Sequence, residues 1–284
     1  MKTYNKKVDY LSIAIAILAA IISAISLFYN HPINIGEQVE TVGGQIVKLY
    51  GRGIYHNDSL SMAVQAKGQD LVTLFLGVPF LVYSLYLSRK NSFLGRFYLT
   101  GTLAYFLYTY VIYSFAGSYN PFFILYVVIT GLSFFAFIAC MTSFELPKLK
   151  DKFSEKLPIK YLGISNVVFA CLIAFNWLSR LTPKSLSIYL EHYTTLPIQA
   201  MDLGIVLPVI VFSAVMLMKK QPWGYLLMPI MTMKILTLLI ALDAMILFMC
   251  LNGVEVSIVE MVIFPLYTLV VGFNFYLIQK NLKK

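Results

Sequence analysis

Five ionisable residues stand in or at the edge of long apolar blocks: Asp70, Asp202, Lys234, Asp243 and Glu260. A charge within a bilayer is costly, so such residues tend to face a bundle interior or a cavity. Their types point to charge recognition of a small solute, or to coupling of proton or cation movement. Lys234 is the deepest. It lies about ten residues into its block, about 15 Å at helical rise, too far for its stem to reach a surface easily. Asp243, nine residues on, falls on the opposite face of the same helix. The two cannot pair, and each needs a partner from another span. Asp70, Asp202 and Glu260 have a plainer reading as interfacial carboxylates near helix N-termini, where negative charge is favoured. Gln65 and Gln199 precede Asp70 and Asp202 and join them as candidate binding residues. His56 and His192 stand just before the same two blocks. Histidine beside a carboxylate is a general base or a metal ligand. This gives a weaker alternative, a membrane-embedded enzyme with His192 or His56 as base beside Asp202 or Asp70. No metal site is read, and a loop histidine is more often merely solvated.

The elements that must position these residues are helices. Of 284 residues, 59% are apolar and 12% charged, against about a quarter charged in soluble domains. The apolar residues come in continuous blocks of about 20, the length that crosses a hydrocarbon core as a helix. Lipid offers backbone amides no partner, so helices or a closed barrel are the spanning options; the unbroken runs select helices. The sequence predicts an all-α integral membrane protein with about eight spans, near 11–28, 71–88, 97–116, 121–142, 161–179, 202–218, 224–250 and 257–278. The first block, after Lys2, Lys6 and Lys7, lacks a cleavage site of small residues and reads as a retained signal anchor.

Basic residues set the orientation. Sixteen of the 22 Lys and Arg fall on one side: the N-terminus, the Arg89–Arg96 turn, the 143–160 loop, Lys219 with Lys220, and the C-terminal tail. Five fall on the other: Lys48, Arg52 and Lys67 in the loop 29–69, and Arg180 and Lys184 in the loop 180–201. Lys234 is the remaining one. This positive-inside bias places both termini in the cytosol, requires an even number of spans, and explains the net charge of +9 without nucleic acid.

The chain also repeats itself. Residues 79–95 align without a gap on 208–224 at an offset of 129, matching Pro79 with Pro208, Ser84 with Ser213, Lys90 with Lys219 and Gly95 with Gly224. Upstream, with small gaps, both halves read H-x-x-[S/T]-L, Q-A, D-L. A duplication would give two parallel four-helix halves, 1–150 and 151–284, as in some transporters. At this offset Tyr105 aligns with Lys234. Interior prolines fall in the same four spans as the charges: Pro79, Pro208, Pro229 and Pro265. Proline frees a carbonyl and breaks helices where membrane proteins build sites. The expectation is an outward-facing polar cavity between spans two, six, seven and eight, with Lys234 at its floor and a short hairpin from Gly43–Tyr55 capping it.

No nucleotide-binding, nucleophile-elbow or zinc-protease motif is present, so no cofactor is implied. Cys140, Cys171 and Cys250 have no metal spacing and read as apolar residues. The stretches LYGRGIYHNDS, KGQDLVTLFLGVP, EHYTTLPIQAMDLGIVLP and PWGYLL resemble a group of prokaryotic polytopic membrane proteins with no established activity. The resemblance implies a prokaryotic plasma membrane and transfers no site residues. The leading expectation is a small-solute or ion transporter, or a solute-binding membrane protein. A third is a subunit or sensor whose outer loops bind a partner. The expected partners are the bilayer, a small solute or cation, and a second copy or a membrane complex.

Overall fold

The computed structural model describes residues 6–41, 44–182 and 190–283. Lys2, Lys184, Lys284 and Gly43, used above, lie outside the described residues. The helices are α1 (Lys7–Phe28), α2 (Leu60–Arg89), α3 (Phe93–Phe115), α4 (Phe123–Met141), α5 (Ile159–Ser179), α6 (Pro197–Met218), α7 (Pro222–Leu251) and α8 (Ile258–Lys280). Seven are long and apolar enough to cross a membrane, and α3 is not among them. Helix α3 carries Arg96, five tyrosines and three threonines. It is packed between α2, α4 and α7, and a helix walled by protein tolerates polar side chains that lipid would not. The all-α membrane architecture therefore stands.

Two helices begin earlier than their hydropathy suggests. Ser59 caps α2, its hydroxyl accepting from the Met62 amide at 3.1 Å, so residues 60–70 are helix rather than loop. This corrects two placements. Asp70 is not at the start of a span but eleven residues into one. Lys67, read as a loop cation, is a buried helix residue whose Nζ donates to the Tyr50 hydroxyl at 3.0 Å. Likewise α6 opens at Pro197, not Asp202. Arg96, read as a turn residue, is buried within α3.

Both early-starting helices contain one π turn, Thr73–Gly77 in α2 and Asp202–Val206 in α6. Their first residues are separated by the sequence offset of 129, and Pro79 and Pro208 follow at the same relative position. Past each helix, Asn91 and Lys220 take positive φ values of 56° and 54°, again at that offset. Gly95 and Gly224 then lie against the preceding helix so closely that a Cβ would meet Leu87 at 2.5 Å and Leu217 at 2.1 Å. The two α-hairpins α2–α3 and α6–α7 are thus built alike.

One end of the bundle carries a two-stranded antiparallel hairpin, β1 (Gln38–Glu40) with β2 (Ile46–Lys48). We call this the hairpin end. The predicted hairpin forms, but starts upstream of Gly43. The opposite, turn end is closed by an aromatic cluster of Phe97, Phe144, Phe153 and Tyr225 and by an Asp9–Arg89 ion pair at 2.9 Å. At the centre α2 and α3 both pack on α7. On one side α1 packs closely on α4. On the other, α5 and α8 meet through side chains: Asn274 donates to Ser165 at 2.9 Å, the Phe169 and Tyr267 rings lie 5.5 Å apart, and Arg180 pairs with Glu260 at the hairpin end.

Candidate functional site

Between Phe169/Tyr267 and the Arg180–Glu260 pair the bundle encloses a cavity of about 740 Å³, within the range of small-molecule sites. Helix α5 contributes Ile173, Asn176 and Trp177; α6 contributes Asp202 and Ile210; α7 contributes Lys234, Leu238, Leu242, Met245 and Met249; α8 contributes Glu260 and Phe264. Gln65 reaches it from α2. The expected cavity between spans two, six, seven and eight therefore has an additional wall, α5, which carries no buried charge and offered no signal beyond its lone tryptophan. A smaller space of about 140 Å³ adjoins it, sharing Gln65, Trp177, Asp202 and Met245 and reaching Tyr55, Asp58 and Tyr113.

Two charges face each other across one ring. Asp202, the first residue of the α6 π turn, accepts from the Tyr108 hydroxyl at 2.8 Å and from the Trp177 indole Nε1 at 2.9 Å. Lys234 is 3% exposed, and its Nζ sits 3.7 Å from the centre of the Tyr108 ring. A cation over an aromatic face is attracted by the ring quadrupole. Asp202 is the carboxylate that acts on Lys234 electrostatically, but no hydrogen-bond acceptor among the described residues reaches the ammonium. All three of its N–H donors are therefore unused, in a position that lines the cavity. Such an orphaned buried donor is costly and calls for a partner.

The residues at the same sequence offset in α2 and α3 are satisfied. The offset of 129 carries Thr73 to Asp202 and Tyr105 to Lys234. Thr73 Oγ1 and the Tyr105 hydroxyl lie 2.9 Å apart, and Gln69 Nε2 donates to Tyr105 at 2.5 Å. The α2–α3 hairpin thus carries a neutral, satisfied pair at the sequence offset of Asp202 and Lys234 in α6–α7. Asp70 lies one turn away, fully buried. It accepts from Ser23 at 3.3 Å, from Ser26, from Tyr55 at 2.6 Å and from Tyr113 at 3.0 Å. Four hydroxyl donors leave that carboxylate well satisfied, and it lines neither cavity.

Above the cavities, at the hairpin end, the segment before α2 meets the segment before α6. Asp58 accepts from the Ser118 amide at 2.7 Å and the Tyr193 hydroxyl at 3.0 Å, while Ser59 Oγ donates to Glu191 at 2.5 Å. Burial pushes the Asp58 carboxyl above the usual range, against the hydrogen bonds from Ser118 and Tyr193 that lower it. Burial raises Glu191 as well. Tyr55 and Asp58 line the smaller space, whereas the β1–β2 strands line neither.

Of the remaining expected residues, Glu260 and Gln65 line the cavity and the others do not. Asp243 accepts from Thr268 of α8 at 2.6 Å and lies outside the cavity lining. Glu260 caps α8 with Ser257 and pairs with Arg180. Gln65 donates to Ser61 Oγ at 3.0 Å, and Gln199 is half-buried and lines neither space. His56 Nδ1 lies 3.0 Å from the Gly53 carbonyl, and His192 Nε2 lies 3.3 Å from Ser118 Oγ. Neither histidine hydrogen-bonds Asp70 or Asp202. Among the described residues no group of three His, Cys, Asp or Glu side chains could hold a metal. Tyr108, Trp177 and Arg180 are the site residues that charge and repeat did not find.

Comparison with protein-family models, with curated proteins and with solved structures finds no match to this chain.

Proposed function

We propose that this polytopic membrane protein binds a small solute in the α5–α8 cavity and carries it across the membrane. The observation that supports the reading best is Lys234: a buried ammonium on the cavity wall, held against the Tyr108 ring and with no acceptor for its N–H groups. The π turn that begins at Asp202 adds to it, because π bulges concentrate at functional sites. So does the likeness of α2 and α6, continuous helices that each carry a π turn followed by proline. In this reading the chain is two parallel halves, 1–150 and 151–284, with eight spans. In it both termini lie in the cytosol of a prokaryotic cell and the hairpin end lies outside, an orientation that the basic bias supports. Asp202, Lys234, Trp177 and Tyr108 form the site, and Arg180–Glu260 closes it at the outer end. The His/Asp enzyme reading finds no support in the histidine positions.

The test is a ligand screen by thermal shift on detergent-purified protein, with Lys234→Ala as the control, followed by flux in liposomes. The reading expects a compound that stabilises the wild type by several degrees and does not shift the variant, which still inserts. A compound that stabilises both alike, with unchanged flux, would remove Lys234 from the site.

A further inference from the structure

We infer that the solute is an amphipathic anion, a carboxylate or phosphate head on an apolar body. This rests on the cavity being the binding site. Lys234 offers three unused N–H donors. Of the four acidic groups on the cavity wall, Asp202 is held by Tyr108 and Trp177, Glu260 by Arg180 and Ser257, and Glu191 by Ser59, while Glu255 stands far from Lys234 in the α7–α8 loop at the hairpin end. At the depth of Lys234 the carboxylate of Asp202 already has a donor on each oxygen, whereas the ammonium has no acceptor, so the unmet demand there is for an anionic head rather than for a second ammonium. Next come the walls. From Lys234 toward the hairpin end, α7 presents Leu238, Leu242, Met245 and Met249 to the cavity, spaced along one face for about 22 Å at 1.5 Å per residue. Ile173 and Phe264 face them from α5 and α8. A polyhydroxylated solute would leave its hydroxyls unpaired against these side chains, and an inorganic anion would leave the apolar length empty. Finally, the cavity lies at the α5–α8 seam, which is bridged by side chains rather than by close helix packing. Helix α8 turns Val262, Leu266 and Leu269 outward toward the bilayer, so this seam is the place where a lipid-borne ligand would enter.

Trp177 lines the cavity and provides the reporter. In a Trp223→Phe background it is the single tryptophan of the chain. The full-length protein in phosphatidylcholine nanodiscs is titrated with 9,10-dibromostearate, whose bromines quench tryptophan on contact. Saturable quenching is expected, displaced by laurate but not by dodecanol, dodecyltrimethylammonium or inorganic phosphate. Lys234→Met should weaken it at least tenfold, and Lys234→Arg should keep it. Discs containing dibrominated phosphatidylglycerol separate a membrane lipid from a free fatty acid as the source of the head, and quenching from either supports the inference. Displacement by dodecanol or the ammonium surfactant as effective as that by laurate overturns the anionic head. Displacement by phosphate alone overturns the apolar body. If no probe quenches, yet a hydrophilic solute stabilises wild type and not Lys234→Ala, the inference fails and the cavity reading stands. If Lys234→Ala also behaves as wild type toward every compound, both fail.

Discussion

Replacing Tyr108 tests whether its two ends act separately, one on Asp202 and one on Lys234. Tyr108→Phe removes the hydroxyl that donates to Asp202 at 2.8 Å and leaves the ring beneath Lys234. A hydrogen bond to a charged group is worth about 1.5–3 kcal/mol. Trp177 still donates to the other oxygen, so the lower half of that range is expected. Tyr108→Leu removes the hydroxyl and the ring. A desolvated cation–π contact adds about 2 kcal/mol, and loss of aromatic packing adds more. The packing part is removed by repeating both substitutions in a Lys234→Met background. There the gap between Phe and Leu should shrink by about 2 kcal/mol, the coupling that a double-mutant cycle isolates. Unfolding by a denaturing detergent, followed by tryptophan fluorescence, gives each free energy. A Phe–Leu gap that is the same with and without Lys234 would mean that the ring does not hold the ammonium, and the site as drawn would be wrong.

Other perturbations address the frame around the site. Gly224→Ala puts a Cβ 2.1 Å from the Leu217 amide nitrogen, and Gly95→Ala puts one 2.5 Å from Leu87. Each should cost about 1–3 kcal/mol by overpacking, whereas Gly131→Ala, with nothing within 4 Å, should be neutral or slightly stabilising; equal effects at all three, in the same unfolding assay, would contradict the alike packing of the two hairpins. Asp58 gives a pH dependence. Burial raises its carboxyl above its ordinary value of 3.8, so the folded state binds the proton more tightly than the unfolded chain. Stability therefore falls as pH rises from 3.8 through the raised value, and is regained on acidification. Glu191 acts in the same sense. Asp58→Asn with Glu191→Gln should flatten the slope of unfolding midpoint against pH, and an unchanged slope would exclude this cluster as its source. In a cysteine-free chain, a single cysteine at Glu37 should react with an impermeant maleimide on intact cells and one at Lys283 should not; the reverse pattern would invert the proposed orientation.

Helix class and the deep position of Lys234 were legible because both rest on the length of apolar blocks, which composition reports directly. The starts of α2 and α6 were not. Gln65, Lys67, Gln69 and Asp70 lower the hydropathy of the first turns of α2, although a protein environment buries most of them. Only the Ser59 cap signals that the helix begins there. The offset of 129 was visible in Pro79/Pro208 and Gly95/Gly224, and the π turns and positive-φ residues of the two hairpins fall at the same offset. The gapped match of Asp70 with Asp202 was misleading, because the residue that opens the α2 π turn, as Asp202 opens that of α6, is Thr73. Tyr108 and Trp177 could not be read at all. An aromatic residue in a membrane helix is ordinary, and only packing reveals that its polar atom meets a carboxylate.

The contrast between the two sides of the bundle accounts for where the cavity of about 740 Å³ lies. Around Asp70 two of the donors are serines, Ser23 and Ser26, both on α1. A serine hydroxyl extends barely beyond its backbone, so these bonds form only if α1 lies close against α2, and that approach brings α1 onto α4. Around Asp202 the donors are Tyr108 and Trp177, the two longest planar side chains that can donate. Trp177 reaches Asp202 from α5 across the width of an indole. The halves of α5 and α6 nearer the turn end still pack closely, but toward the hairpin end Trp177 sets their separation. The space it holds open is the cavity, with Lys234 on its wall. Two serines among the donors to Asp70 draw α1 onto α2, whereas Trp177 spans from α5 to Asp202, so the reach of a donor to a buried carboxylate helps set how far apart two helices stand.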